Sequence, residues 1–307
     1  MILSTLPDRR AAAAPHAPAV TDDNIDLNNT EFLAAVRRAA ASLRAAGVST
    51  DDVVAIMLPD SAALVVSLFA TWRLGATAAP INPSLTAPEA SHQMAEAGAK
   101  VLVAAQRPAF DAPVQAVISA DELTTADAAV LEAAWPSDDA PALIIHTSGS
   151  TIGPNRVILD HMNLDAMCRL AIEAFALNNA DHSLLILPLF HVNGIVVGTL
   201  SPLLAGGRAT IAGRFSPTSF FDRIERSHAT YFSADPTMYT ALSDLPAPIR
   251  PNTSSVRFSI CGEVRANVEQ RTTFEHRYGI PIIDSHGLTN IPGRTRSTAN
   301  RRRPAYL

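Results

Sequence analysis

Residues 142–157 read ALIIHTSGSTIGPNRV. The opening ALIIH is an apolar run of strand length and composition, suited to a buried position in a sheet. Thr147, Ser148, Gly149, Ser150 and Thr151 follow at once, four hydroxyls around one glycine. A loop between a parallel strand and a helix sits at the carboxyl edge of the sheet, where α/β folds bind ligands. Backbone N–H groups freed by Gly149 and Gly153, together with those hydroxyls, suit phosphate oxygens. A Walker A loop is excluded, because that pattern needs Lys after its second glycine and Pro154 follows Gly153. Spacing alone leaves two readings open, an anion site and a plain polar turn.

Working outward, the apolar pattern switches repeatedly between helical and strand periods. EFLAAVRRAAASLRAA (31–46) places apolar side chains at 32, 33, 36, 40 and 43, one face of a helix, with Asn29 or Thr30 as its cap and Gly47 as its stop. DVVAIML then reads as a strand closed by Pro59, SAALVVSLFATWRLG as a helix, ATAAPIN as extended chain, APEASHQMAEAG as a helix and KVLVAA as a strand. Residues 106–141, rich in Ala, Asp and Pro, are expected to be a surface connection with one short helix. After the Ser/Thr/Gly loop the pattern predicts a helix over about 160–176. Strand SLLILPL, strand ATIAG, helix PTSFFDRIERS, strands ATYFSAD and VRFSIC, helix ANVEQRTTFEHRYG and strand PIIDSHG follow. Alternation of this kind implies βαβ units and parallel sheets.

Bulk properties narrow the function. The 307 residues, 48% hydrophobic and 17% charged, suffice for about two domains with a sizeable core. A formal net charge of −5 argues against a general nucleic-acid binder. Cys168 and Cys261 suggest a reducing compartment and no disulfide framework. MILSTLPDRR lacks the apolar centre of a signal peptide, and AALVVSLFATW and GIVVGTLSPLLAGG are too short or too interrupted to span a bilayer. A cytoplasmic protein with no integral membrane segment is expected. IPGRTRSTANRRRPAYL (291–307) carries five arginines and no acidic residue, and is expected to be a basic, solvated and disordered tail.

TSGST, followed by Pro154, Val157 and DHMNL, resembles the phosphate loop of the adenylate-forming superfamily, in particular its AMP-forming acyl-CoA ligases. LPLFHVNGIVVGTLSPLLAGG (187–207), DPTMY (235–239), FSICGE and YGIPIIDSHGLTN (278–290) resemble that family's later segments in order, and LRAAGVSTDDVVAIMLPDSAALVVSLFATWRLGATAAPINPSL resembles its opening. LPLFH is similar to the acyl-CoA ligase branch more than to amino-acid adenylating domains. The resemblance implies an α/β fold of two packed lobes of mostly parallel sheet flanked by helices, an incomplete adenylate-forming N-terminal domain over 1–290. The family's mobile C-terminal lid domain is expected to be absent.

By the same resemblance, a carboxylic acid, ATP and CoA are the substrates. The carboxylate attacks the α-phosphorus of ATP to give acyl-AMP and pyrophosphate, and the CoA thiol then displaces AMP. Thr147, Ser148, Gly149, Ser150 and Thr151 are implied to hold the β- and γ-phosphates, and Thr289 to reach the α-phosphate. Gly262, His286 and Gly287 are implied to flank the adenine, and His191 and Asn193 to border the acyl pocket. No His/Cys cluster of zinc type occurs.

Several positions depart from the family pattern. Ile152 and Arg156 replace glycines and Asn155 a lysine, while Asn290 replaces a glutamate that helps hold Mg2+, which implies a weakened magnesium site. Glu263 adds a carboxylate where a small residue is usual. Two classes of function therefore stay open: an impaired, truncated ligase, or a non-enzymatic nucleotide- or acyl-binding remnant or a subunit that needs a complementing C-terminal domain in trans.

Overall fold

The computed structural model describes residues 3–125, 132–147, 155–246, 251–262, 266–287, 295–297 and 305–306. The chain divides into two compact units, one of residues 1–19 and 25–165, the other of 20–24 and 166–307. Each is built on a mostly parallel sheet flanked by helices.

In the first unit the strands lie in the order Ala116–Ser119, Val101–Ala104, Val53–Met57, Thr77–Pro80, Pro141–Thr147, Asn155–Asp160. All neighbours are parallel except the last pair. The helix Asn29–Ala45 forms where the apolar period predicts it, but its cap is Asn28, one residue before the expected Asn29 or Thr30. The Asn28 side chain accepts from the Glu31 N–H, and the Glu31 carboxylate accepts from the Asn28 N–H, each at 2.9 Å, a reciprocal capping box. Asn29 is instead buried, accepting from Arg10 Nε at 2.8 Å and donating to the Ala14 carbonyl at 2.7 Å.

The helix Ala62–Arg73 is apolar almost all round and accordingly buried. Its Phe69 makes edge contacts with Phe32 and Trp72, with ring centroids 5.3 and 5.2 Å apart. Trp72 Nε1 donates to the Ala142 carbonyl at 2.7 Å and Thr77 Oγ1 to the Pro141 carbonyl at 3.0 Å. These bonds fix the start of the strand that runs to Thr147. Arg73, 1% exposed at its side chain, is neutralised by Asp8 at 2.6 Å, and Arg37 reaches the same carboxylate at 3.0 Å.

Two expectations are corrected in this unit. The 106–141 connection contains the strand Ala116–Ser119, and its short helix is a single 3-10 turn, Glu122–Thr124. More consequentially, no helix follows the Ser/Thr/Gly loop directly. Asn155–Asp160 returns antiparallel to Pro141–Thr147, with Thr147 opposite Asn155, His146 opposite Arg156 and Ile145 opposite Val157. The run Val157-Ile158-Leu159 is β-branched and apolar, and Leu159 is buried while Ile158 faces out, as the strand period of two requires. The helix expected over about 160–176 then forms as His161–Phe175. Asp160 and Asn163 exchange hydrogen bonds at its start, at 2.6 and 3.3 Å.

In the second unit parallel pairing runs from Ile282–Gly287 through Phe258–Cys261, Tyr231–Ala234, His182–Leu185 and Arg208–Ile211 to Val20 and Thr21. The core on one face is aromatic: Phe220 meets Phe232 at 4.9 Å, and Tyr239 meets Phe274 at 4.9 Å. The buried tyrosine hydroxyls are satisfied, Tyr239 by the Ile260 carbonyl at 3.0 Å and Tyr278 by the Leu242 carbonyl at 2.6 Å. Asp181, 1% exposed at its side chain, accepts from Arg257 and from Thr230 Oγ1.

Residues 192–204 form a broken helix, α over Val192–Ile195, π over Val196–Leu200 and α again over Ser201–Leu204. Thr199 Oγ1 and Ser201 Oγ each donate to a carbonyl five residues back, which satisfies acceptors at the widened turn. Within the basic stretch, Thr295–Ser297 pairs antiparallel with Ser285–Gly287, and Ala305–Tyr306 pairs with it in turn. Cys168 and Cys261 are both buried and neither is in a disulfide. Among the described residues no helix is long and apolar enough to cross a membrane.

Candidate functional site

Thr147 ends the strand Pro141–Thr147 at the carboxyl end of the first unit's parallel sheet, and its rung partner is Asn155. The chain between these two residues therefore closes a hairpin. Ser148, Gly149, Ser150 and Thr151 lie outside the described residues, as do Thr289 and Asn290. Arg156, the cation that follows Asn155, is already engaged, its Nη1 donating to the Glu96 carbonyl at 2.6 Å. On the same rung, the His146 side chain is 3% exposed and its Nε2 stands 3.6 Å from Glu96 Oε2.

In the second unit the parallel register gathers residues distant in sequence. Cys261 pairs with Asp284, so Gly262 lies one residue beyond that rung and His286 and Gly287 lie two and three beyond it. His191 caps the broken helix, is exposed, and tilts its ring against Phe190 with centroids 4.6 Å apart. Two residues on, Asn193 lies over Gly262: a Cβ on Gly262 would stand 2.2 Å from Asn193 Nδ2 and 3.9 Å from Ser233 Oγ. A side chain at 262 would have to displace that carboxamide. Gly194 is similarly constrained, since a Cβ would meet the Pro188 carbonyl at 2.5 Å.

Asn193 Oδ1 and Ser233 Oγ are buried without hydrogen-bond partners. Unpaired buried polar atoms at the ends of parallel strands are where a ligand's polar groups find their partners. Burial pushes the neighbouring Cys261 thiol up to about 11, so it stays protonated and is no nucleophile at neutral pH. His191, Asn193 and Gly262 are thus brought to one edge, with the backbone of His286 and Gly287 beside them. Ser233 was missed in the sequence, where nothing distinguishes it from other strand serines. The return strand after the loop had a signal, the apolar run Val157–Leu159. Among the described residues no three His, Cys, Asp or Glu are grouped to hold a metal ion.

The sequence matches the AMP-binding enzyme family over residues 7–305. A feruloyl-CoA synthase of Amycolatopsis sp is 32% identical over 302 residues, which cover 95% of this chain and 60% of the synthase. An oxalate–CoA ligase of Arabidopsis thaliana is 29% identical over 313 residues, covering 94% and 59%. The chain therefore spans about 60% of the length of these curated relatives. The crystal structure of the N-terminal domain of FACL13 from Mycobacterium tuberculosis matches the fold with a TM-score of 0.89 at 23% identity, over 98% of this chain and 81% of that one.

Proposed function

The chain belongs to the AMP-binding enzyme family, and from that premise we propose that it binds ATP and a small carboxylic acid as part of an AMP-forming acid–CoA ligase. The observation that carries the reading is the Thr147–Asn155 rung, which ends an antiparallel strand pair at the carboxyl end of a parallel sheet where the TSGST run begins in sequence. In this reading the hydroxyls and N–H groups of Thr147, Ser148, Gly149, Ser150 and Thr151 hold the β- and γ-phosphates. Thr289 donates to the α-phosphate. Gly262, His286 and Gly287 present bare or flat surface to the adenine, and His191 and Asn193 border the acid. The carboxylate oxygen bonds to the α-phosphorus as pyrophosphate leaves; the CoA thiol then takes the acyl carbon and releases AMP. Catalysis is mainly positioning and charge stabilisation.

A magnesium ion would be held weakly here, because Asn290 offers a neutral amide where a hard cation prefers a carboxylate. None of the roles above is routed through it. The names of the relatives span oxalate to ferulate, so the proposal is for a small or aryl acid without further choice. Two buried cysteines outside any disulfide support a reducing, cytoplasmic setting.

One observation favours slow turnover. Arg156 donates to Glu96 rather than standing free for phosphate, and Asn155 carries no charge. Loss of one transition-state partner costs about 2.7–4 kcal/mol, or about 10²–10³ in rate. Calorimetric titration of ATP and AMP, followed by ATP–pyrophosphate exchange over a panel of carboxylic acids, tests the reading. ATP is expected to bind, with exchange slow in the natural chain and raised about 10-fold or more by Asn155→Lys. A folded protein that binds neither nucleotide overturns it.

A further inference from the structure

We propose that His146 and Glu96 are positioning residues for the phosphate loop, and that ATP binds together with a proton taken up by this pair. The inference rests on the ATP-binding reading above. His146 immediately precedes Thr147, and its ring is directed away from solvent toward the C-terminal part of the helix Ala87–Ala97. Both ring nitrogens, and Glu96 Oε2, are buried without a hydrogen-bond partner. The imidazole and the inward Oε2 of Glu96 stand 3.6 Å apart, each short of a partner, and leaving such atoms unpaired is costly even though the rest of the Glu96 side chain is one third exposed. One proton on Nε2 turns the same two groups into a charge-assisted pair. Closing that pair ties the helix to the strand that leads into the loop, beside the Arg156–Glu96 carbonyl bond on the facing strand.

The surroundings set when this happens. Burial lowers the His146 pKa below its usual value, Glu96 raises it, and Arg156 and His92 lower it. Glu96 and His92 face it from the helix and Arg156 from the return strand. The strand on the other side, Thr77–Pro80, has no titratable group. The free protein therefore holds the ring neutral at neutral pH.

ATP changes the balance. Thr147 adjoins His146 and Ser148 follows it by two residues, at most about 7 Å of chain, so phosphate oxygens held by these two residues lie within about one Debye length, ~10 Å. Their negative charge raises the pKa of the ring. Protons are taken up where the pH lies between the free and the bound pKa. ATP affinity accordingly rises as pH falls through the bound-state value and levels off below the free-state value.

The test is titration of ATP into the full chain at about pH 6.5, in two non-phosphate buffers of different ionisation enthalpy. The natural protein, Glu96→Gln and His146→Gln are compared, so that the ligand's own ionisation cancels. The natural protein is expected to take up several tenths of a proton more than either variant. The pH dependence of its ATP affinity is expected to be steeper, by up to about tenfold per pH unit for one linked proton. Glu96→Gln preserves shape and carries the test alone if His146→Gln fails to fold. ATP binding with equal proton uptake in natural and variant proteins overturns this inference and leaves the ATP-binding reading intact. Absence of ATP binding to the folded natural protein overturns both.

Discussion

In the first unit the candidate residues are nearly consecutive, Thr147 to Thr151, and they sit on a hairpin whose two strands are neighbours in the chain. In the second unit His191 and Asn193, Ser233, Gly262 and Gly287 come from four separate stretches, drawn toward one edge because parallel strands end together. The interiors differ as well. The first unit packs small side chains such as Ala55, Ala90, Ala99 and Ala104 around Leu102 and Met94, and it places a buried arginine against Asp8. The second relies on large rings, with Phe220, Phe232, Tyr239 and Phe274 in mutual contact. A site of consecutive residues needs only a fixed pair of strand ends. A gathered site needs the whole sheet in register, and large interlocking side chains hold that register.

The largest expected effect follows from that contrast. Phe274→Ala, at a fully buried ring that contacts Phe232, Tyr239 and Tyr278, is expected to cost about 3–5 kcal/mol. Hydrogen exchange should show lost protection through residues 231–234 and 258–261 before the hairpin at 141–160 is affected. Equal loss in both places would break the comparison.

Next is Asp8→Asn, which leaves Arg73 buried without its counter-charge. Removing one partner of a buried pair costs about 3–5 kcal/mol, and the partial exposure of Asp8 places this case near 3. Burial pushes the Asp8 carboxyl up, but the hydrogen bonds and charges of Arg73 and Arg37 outweigh it and hold the pKa below the usual 3.8. The stabilisation is therefore complete above about pH 3.8 and fades as pH falls through the lower, folded-state value. Denaturant melts across the acid range should show that limb in the natural protein and not in Asp8→Asn.

The smallest effect on stability is the most local. Gly262→Ala drives a methyl into the Asn193 carboxamide and is expected to cost about 1–3 kcal/mol. In an Asn193→Ala background the same change should cost less than half as much, because the clashing group is gone. Thermal melts of the four proteins measure the coupling. Additive losses would show that the Asn193–Gly262 approach is not what limits this edge.

Much of the fold was legible from periodicity. The helix Pro217–Ser227 and the strands Val53–Met57 and Tyr231–Ala234 lie where the apolar spacing places them, because each buries one face or both and its pattern records which. The errors fell where pattern is weakest. Asn155–Asp160 is an edge strand with one exposed face and was absorbed into a loop, and the cap of the first long helix moved to Asn28 because Asn29 was drawn inward by Arg10.

The sequence by itself determined the order of strands and helices, the family and the run Thr147–Thr151, since these depend on spacing along the chain and on contiguous motifs. Only the tertiary structure decided that this run closes a hairpin, that Arg156 is engaged by the Glu96 carbonyl and that His146 faces Glu96. It also decided that Asn193 lies over Gly262 beside Ser233. Those relations join residues 29 to 69 positions apart or pair neighbouring strands, and they arise from register and packing, which no local pattern of residues encodes.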